Sequence, residues 1–438
     1  MDQVLITVLG IGGMFVLIFL QVPIGAALAL AGLGGTVAIL GWGPALTQFS
    51  ITPTSILTSS ELATIPLFLI MGSFAAAAGL SSDLYKLAYA FVGHRRGGLA
   101  MATIGGCGGF GAVCGSSIAT AGTFMKIALP EMLQRKYEPA LASGCIAAGG
   151  TLGILIPPSI IMVLYGVLTE QFIIALFTAA VIPGLISIAL YFITIMIYVR
   201  VKPNSGPPGD KMSWEERIQV VINSWGVITL AVVVSGGIYA GIFTVVEAAA
   251  VGATSAFLFT AFRGKLTKEV LWSVLSESAA TTGLIYVILI GASIFSFFVT
   301  LTELPQFMVA EIQALGLSPL ATISILLVMY IILGSIFDTV AAMVITLPFV
   351  YPVIIGLGYD PIWWGVINVM VIEIGLTTPP IGIIVFVLHG MAPDIPLKTI
   401  FTGIIPFFAA DILRLGILVV FPAISLWLPT VLGMMTKY

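Results

Sequence analysis

Apolar residues in this chain fall in long, nearly unbroken blocks. Their spacing follows neither the amphipathic-helix period nor the alternation of a half-buried strand. A block of about 20 such residues is the length of a membrane-spanning helix. Full spans are predicted at 3–22, 24–42, 62–80, 138–168, 173–199, 220–240, 243–262, 279–300, 362–390 and 400–427. Two further blocks, 98–132 and 318–352, are long but interrupted by glycine, so each reads as a single span or a re-entrant hairpin. Two short stretches, 81–93 and 303–315, mix polar residues at helical spacing, as expected for a helix lying at the membrane interface. The unbroken runs exclude a β-barrel, whose strands alternate.

Composition turns this pattern into a class. Of 438 residues, 59% are hydrophobic and only 8% charged, against roughly 25% charged in soluble domains. The protein is therefore an all-α polytopic membrane protein, with lipid as its surroundings. A net charge of −3 argues against nucleic-acid binding. Cys107, Cys114 and Cys145 offer neither a disulfide framework nor metal-ligand spacing. The N-terminus lacks the basic start of a signal peptide. No nucleotide loop or HExxH is present, and the two histidines of the chain lie far in sequence from the Gly-Ser-Ser-Ile run, so no enzyme is expected.

Basic residues decide between span and hairpin. With both Gly-interrupted blocks as hairpins, and the Pro/Gly-rich linker 201–217 on the cytoplasmic side, 13 of the 16 Lys and Arg residues fall on that side. Lys126 and Arg414 lie inside membrane segments, and Lys437 falls on the outer side. A full span at either block would invert everything up to the nearest charge cluster. Hairpin 98–132 then enters from the cytoplasm, hairpin 318–352 from the opposite side, and the N-terminus is periplasmic.

The halves repeat at an offset near 220. Leu129-Pro130 matches Leu347-Pro348, and Gly153-Ile154-Leu155-Ile156-Pro157-Pro158 matches Gly375-Leu376-Thr377-Thr378-Pro379-Pro380. Phe177-Thr178 with Pro183 matches Phe401-Thr402 with Pro406. Residues 1–200 and 218–438 are read as five-span repeats. Each has a hairpin followed by a Pro-Pro-broken span, at 138–168 and 362–390, and an odd number of spans inverts the second copy. Inverted repeats with interrupted helices are the signature of a secondary transporter. A helix broken in the membrane frees N–H and C=O groups that lipid cannot satisfy, and such groups attract ions.

The chemistry gathers at these breaks. The first hairpin tip, Gly111 to Thr120, combines small residues, glycine turns and hydroxyls, and it pairs with the Pro157-Pro158 break. Helix packing by small residues is the alternative. The second tip, Gly334-Ser335-Ile336-Phe337-Asp338-Thr339, places a carboxylate in the membrane, for ion coordination or for a structural hydrogen bond. Glu373, just before the second break, reads as a ligand, a proton site or, preferably, a packing or network residue. Glu247 reads as a helix cap and Asp411–Arg414 as a local ion pair. Lys126 reads as snorkelling or binding an anion, His389 as interfacial, and Glu61 and Pro66 as marking the start of a span.

At these residues the chain resembles the large membrane subunit of tripartite ATP-independent periplasmic (TRAP) transporters. The likeness rests on Ala112 to Thr120, Leu129-Pro130-Glu131-Met132, Gly150 to Ser159, Ile65-Pro66-Leu67-Phe68 with Gly72, and Gly375 to Gly382, and it covers essentially the whole chain. Cys114 departs from the serine usual there. The resemblance implies an elevator-type fold in the bacterial inner membrane and Na⁺-driven import of a small carboxylate, sulfonate or related acid. It further implies a separate four-helix membrane subunit and a periplasmic substrate-binding protein as partners. Two Na⁺ sites are expected, with no covalent cofactor. One uses Gly115, Ser116, Ser117 and the carbonyls around Gly153; the other uses Gly334, Asp338, Thr377 and Thr378. Substrate would touch Ser116, Ser117 and Thr378. The competing expectation is a stand-alone Na⁺/divalent-anion symporter, which shares inverted repeats and two hairpins.

Overall fold

The computed structural model describes residues 3–435, apart from the side chains of Gln3, Val4 and Gln313; Lys437 lies outside the described residues. Within them every regular element is helical. The first half runs through α1 (Gln3–Phe19), α2 (Ile24–Leu40), α3 (Trp42–Leu57), α4 (Thr64–Ala78) and α5 (Leu80–Val92). It continues with α6 (Gly98–Cys114), α7 (Ser117–Gln134), α8 (Pro139–Leu155), α9 (Ile160–Thr169) and α10 (Ile173–Val201). The second half begins with α11 (Trp214–Asn223) and α12 (Trp225–Ala231), then a π-helical turn, Val232–Gly236, that leads into α13 (Gly237–Tyr239). After these come α14 (Val245–Phe262), α15 (Lys268–Leu301), α16 (Leu304–Ala314), α17 (Pro319–Ile336) and α18 (Thr339–Gly356). The chain closes with α19 (Pro361–Leu376), α20 (Ile383–Met391), α21 (Leu397–Val420) and α22 (Ala423–Val431).

Both Gly-interrupted blocks are helical hairpins, α6–α7 and α17–α18, and the two interfacial stretches are α5 and α16. Both Pro-Pro pairs break their helices, and α8 and α9 meet at a bend of 42°. Proline removes a helix donor and clashes with the preceding turn, and two in succession end the helix. Among the described residues, seven helices are long and apolar enough to cross a membrane, or nine with the bent pairs. Of the ten expected spans seven pass, because α1 and α2 are 17 residues each and α19 is 16; the other two of the nine are the hairpin helices α17 and α18.

Three features differ from the sequence reading. Helix α3 occupies a stretch left unassigned; it is mostly exposed and rich in Ser and Thr, so no apolar block marked it. Helix α15 is 34 residues long and starts at Lys268, because Lys268, Glu269 and Glu277 interrupt the apolar pattern without interrupting the helix. The span expected at 220–240 is bent by 58° at Ser224.

Helix pairing crosses between the halves: α2 packs on α15, and α4 on α14. Each hairpin then lies against its own broken helix through a glycine contact. A Cβ on Gly111 would sit 2.7 Å from the Gly153 Cα, and one on Gly375 would sit 2.7 Å from the Gly334 Cα. No side chain larger than hydrogen fits either seam, and the two seams occupy corresponding places in the repeat.

The hairpins enter from opposite ends. The base of the first meets the linker, where the Gly97 N–H donates to the Gly206 carbonyl and the Glu138 N–H to the Ser205 carbonyl. Arg135 pairs with Asp210 and Lys202 with Glu138 at the same end, so the basic loops gather there. From this end α8 runs to the break and α9 continues to the far end. There the Tyr165 hydroxyl donates to the Pro361 carbonyl, and Gln171 to the Tyr351 hydroxyl, at the base of the second hairpin.

Candidate functional site

Both hairpin tips are built as helix N-termini. Helix α6 stops at Gly115, whose φ of 64° is left-handed and favours glycine. Ser116 then caps α7, its Oγ accepting from the Ala119 N–H at 3.4 Å. At the matching place Asp338 caps α18, its Oδ1 accepting from the Ala341 N–H at 3.2 Å. The dipole of each following helix favours negative charge at its cap, which lets a carboxylate occupy the second tip.

The tips share one cavity of about 160 Å³. Gly115, Ser116 and Ser117 line it from one hairpin and Asp338 and Thr339 from the other, with Thr281 and Ile285 of α15 across from them. Glu373 of α19 joins the tips from behind. It is buried; its Oε1 accepts from the Thr339 hydroxyl at 2.8 Å, and its Oε2 accepts from the Ser117 hydroxyl. One carboxylate therefore ties both hairpins to the second broken helix. The network reading of Glu373 fits, but its two partners lie 34 and 256 residues away and no local pattern marked them.

The other expected site residues lie around this centre. Gly153 abuts the first tip: a Cβ there would meet Thr120 Oγ1 at 2.6 Å and the Ser116 carbonyl oxygen at 2.8 Å. Thr120 Oγ1 is fully buried, beside the Cys114 thiol. Gly334 faces Ile372 and Gly375. The Thr377 and Thr378 hydroxyls both donate back to the Ile374 carbonyl, at 3.0 and 2.6 Å. Neither they nor Gly153 and Gly334 line the shared cavity. Pro157 and Pro158 are buried, whereas Pro379 and Pro380 are exposed.

This arrangement can be set beside known proteins. The family model for the tripartite ATP-independent periplasmic transporter, DctM component, matches residues 11–424. The chain belongs to this family. The C4-dicarboxylate TRAP transporter large permease protein DctM of Pseudomonas aeruginosa is 36% identical over 92% of this chain and 94% of its own length. The sialic acid TRAP transporter large permease protein SiaM of Vibrio cholerae is 31% identical, covering 84% of this chain and 86% of that protein. Among solved structures, the Alcanivorax borkumensis YdaH transporter, described as having an unusual topology, aligns with a TM-score of 0.59 at 14% identity. It covers 87% of this chain and 90% of its own, and the likeness is one of fold.

In this TRAP large permease, two clefts flank the tip cavity. One, about 660 Å³, lies between α4, α5, α7 and the start of α15. The other, about 390 Å³, lies between α9, α16, α18 and the end of α15. In the repeat, α4, α5 and α7 of the first correspond to α15, α16 and α18 of the second. Behind the hairpins, the expected Asp411–Arg414 pair forms at 2.9 Å. It belongs to a larger buried network: the Tyr191 hydroxyl donates to Asp411 Oδ1 at 2.7 Å, and Arg414 donates to the Ser187 hydroxyl. This network ties α10 of the first half to α21 of the second. Glu247 closes a capping box with Thr244 at the start of α14.

Proposed function

We propose that this permease imports a small organic acid, coupled to Na⁺, by an elevator movement of the hairpins and broken helices against a scaffold containing α2, α4, α14 and α15. In this reading it works in the bacterial inner membrane. A separate small membrane subunit completes the scaffold, and a periplasmic protein delivers the substrate. The observation that carries the reading is the Ser117–Glu373–Thr339 bridge. It holds both tips as one body facing α15 across a single cavity, with a cleft leading from that body toward each end.

The donors at the tips suit a hard cation, which takes oxygen ligands. Thr120 Oγ1 is a buried hydroxyl oxygen, with lone pairs to offer, at the junction of the first tip and Gly153. In the second half Asp338 supplies charge, and Thr377 and Thr378 keep free lone pairs after donating. The cavity itself has no cationic side chain, so helix N-termini and the coupling cation supply the field for an anion. Relatives of more than 30% identity are named for C4-dicarboxylates, sialic acid and isethionate; the most similar of these, at 36% identity, is named for C4-dicarboxylates, which makes succinate the first probe. Uptake of labelled succinate into proteoliposomes is expected to require a Na⁺ gradient, the small subunit and the binding protein together. Robust uptake by this chain alone, without a Na⁺ gradient, would contradict the proposal.

A further inference from the structure

Lys126 has no place in the site described so far. It lies nine residues along α7 from the tip, is exposed, and makes no ion pair or hydrogen bond among the described residues. It shares a helical face with Ala119, Gly122 and Thr123, at the spacing that stacks side chains along one stripe. All four line the larger cleft. One turn above Ala119 the same face reaches Ser116, which lines the tip cavity. A strip of small side chains therefore runs from the tip cavity down to the Lys126 ammonium, while Lys265, beside Gly79 of the same cleft, donates to the Ala78 carbonyl.

The other cleft is built from corresponding elements and differs at this point. On the register that pairs Leu129-Pro130 with Leu347-Pro348, Lys126 corresponds to Val344, and the lining of that cleft includes no charged side chain. The charge is thus placed on one path only, the one at the end where the basic loops gather. An unpaired lysine in an otherwise apolar segment is costly and marks function more often than packing. A cleft with low-dielectric walls focuses the field of such a charge.

We propose that Lys126 makes this cleft an anion-collecting passage, a secondary station for the carboxylate or sulfonate head of a small acid between the tip cavity and the basic end. This rests on the reading of the cleft as a substrate path, but the charge effect is measurable without transport. Glu277 lines the same cleft from α15, its Oε1 accepting from the Ser273 hydroxyl at 3.0 Å. Its charge opposes that of Lys126, so the two variants move an anion's local concentration in opposite directions.

The test places a thiol beside Lys126 as Thr123→Cys, in a Cys114→Ser background of the full chain with its membrane partner. The ratio of modification rates by an anionic and a cationic methanethiosulfonate reagent is then measured. Lys126→Gln should lower the anionic-to-cationic ratio by about tenfold, as expected for one charge removed from a water-filled cleft within several ångströms. Lys126→Arg should preserve the ratio, and Glu277→Gln should raise it. A ratio unchanged by both Lys126→Gln and Glu277→Gln would overturn the proposal. Because the rates need neither Na⁺ nor substrate, failure of the coupled-import reading would leave this result intact, and the reverse also holds.

Discussion

The two hairpin-and-break units share an architecture and differ in chemistry. In the first, the tip is capped by neutral Ser116, the break spans only residues 156–159, and Pro157 and Pro158 are buried. In the second, the cap is Asp338, the break spans residues 377–382, and Pro379 and Pro380 are exposed. The clefts diverge in the opposite sense, with Lys126 of the first hairpin lining one and the corresponding Val344 of the second lining the other. A repeated backbone thus carries a neutral cap with a buried break in one half and an anionic cap with an exposed break in the other. Architecture sets where the hairpin tips and breaks meet; the few residues that break the symmetry set the charge carried by each half.

The largest effect should come from severing the link between the units. Glu373→Ala removes the acceptor for two buried hydroxyls, at a cost on the order of 2–4 kcal/mol. It should lower the detergent melting temperature and abolish succinate uptake, while Glu373→Gln, which keeps a carbonyl acceptor, should recover most of the stability. Equal melting temperatures for Glu373→Ala and wild type would show that the tips do not depend on the bridge.

Next come the glycine seams. Gly375→Ala drives a methyl against the Gly334 backbone, whereas the nearest atom to one at Gly153 is the Thr120 hydroxyl. Overpacking costs roughly 1–3 kcal/mol, and thermal unfolding should place Gly375→Ala at the upper end, with Gly153→Ala partly relieved when combined with Thr120→Ala. The caps follow. Ser116→Ala should cost about 1 kcal/mol, whereas Asp338→Asn, which keeps a good cap, should leave the melting temperature nearly unchanged. Smallest of all is the exposed Arg135–Asp210 pair. Asp210→Ala should change stability by less than about 1 kcal/mol, and a larger loss would mean that the linker stiffens the first unit more than its surface position suggests.

Much of this was legible in the chain. Glycine within apolar blocks and prolines in pairs mark where helices must turn or break, and basic residues sort the loops, so both hairpins and both breaks could be placed. Glu247 and the Asp411–Arg414 pair were local enough to follow from helix spacing. What escaped depends on contacts far apart in sequence. Ser117–Glu373 and Tyr191–Asp411 join residues 256 and 220 positions apart. The linker 201–217, read as a polar connector, hydrogen-bonds to Gly93, Gly97 and Glu138. The exposed, hydroxyl-rich α3 showed no apolar block to announce it.

The contrast between the tips is tested most directly by the Na⁺ dependence of succinate uptake in Asp338→Asn, with the complete transporter in proteoliposomes and folding verified by an unchanged melting temperature. Half-saturation should move to about tenfold higher Na⁺, the equivalent of about 1.4 kcal/mol of lost cation affinity. Ser116→Ala should shift it far less. An Asp338→Asn curve that overlays the wild type would contradict the proposal that Asp338 takes part in holding a coupling cation at the second tip.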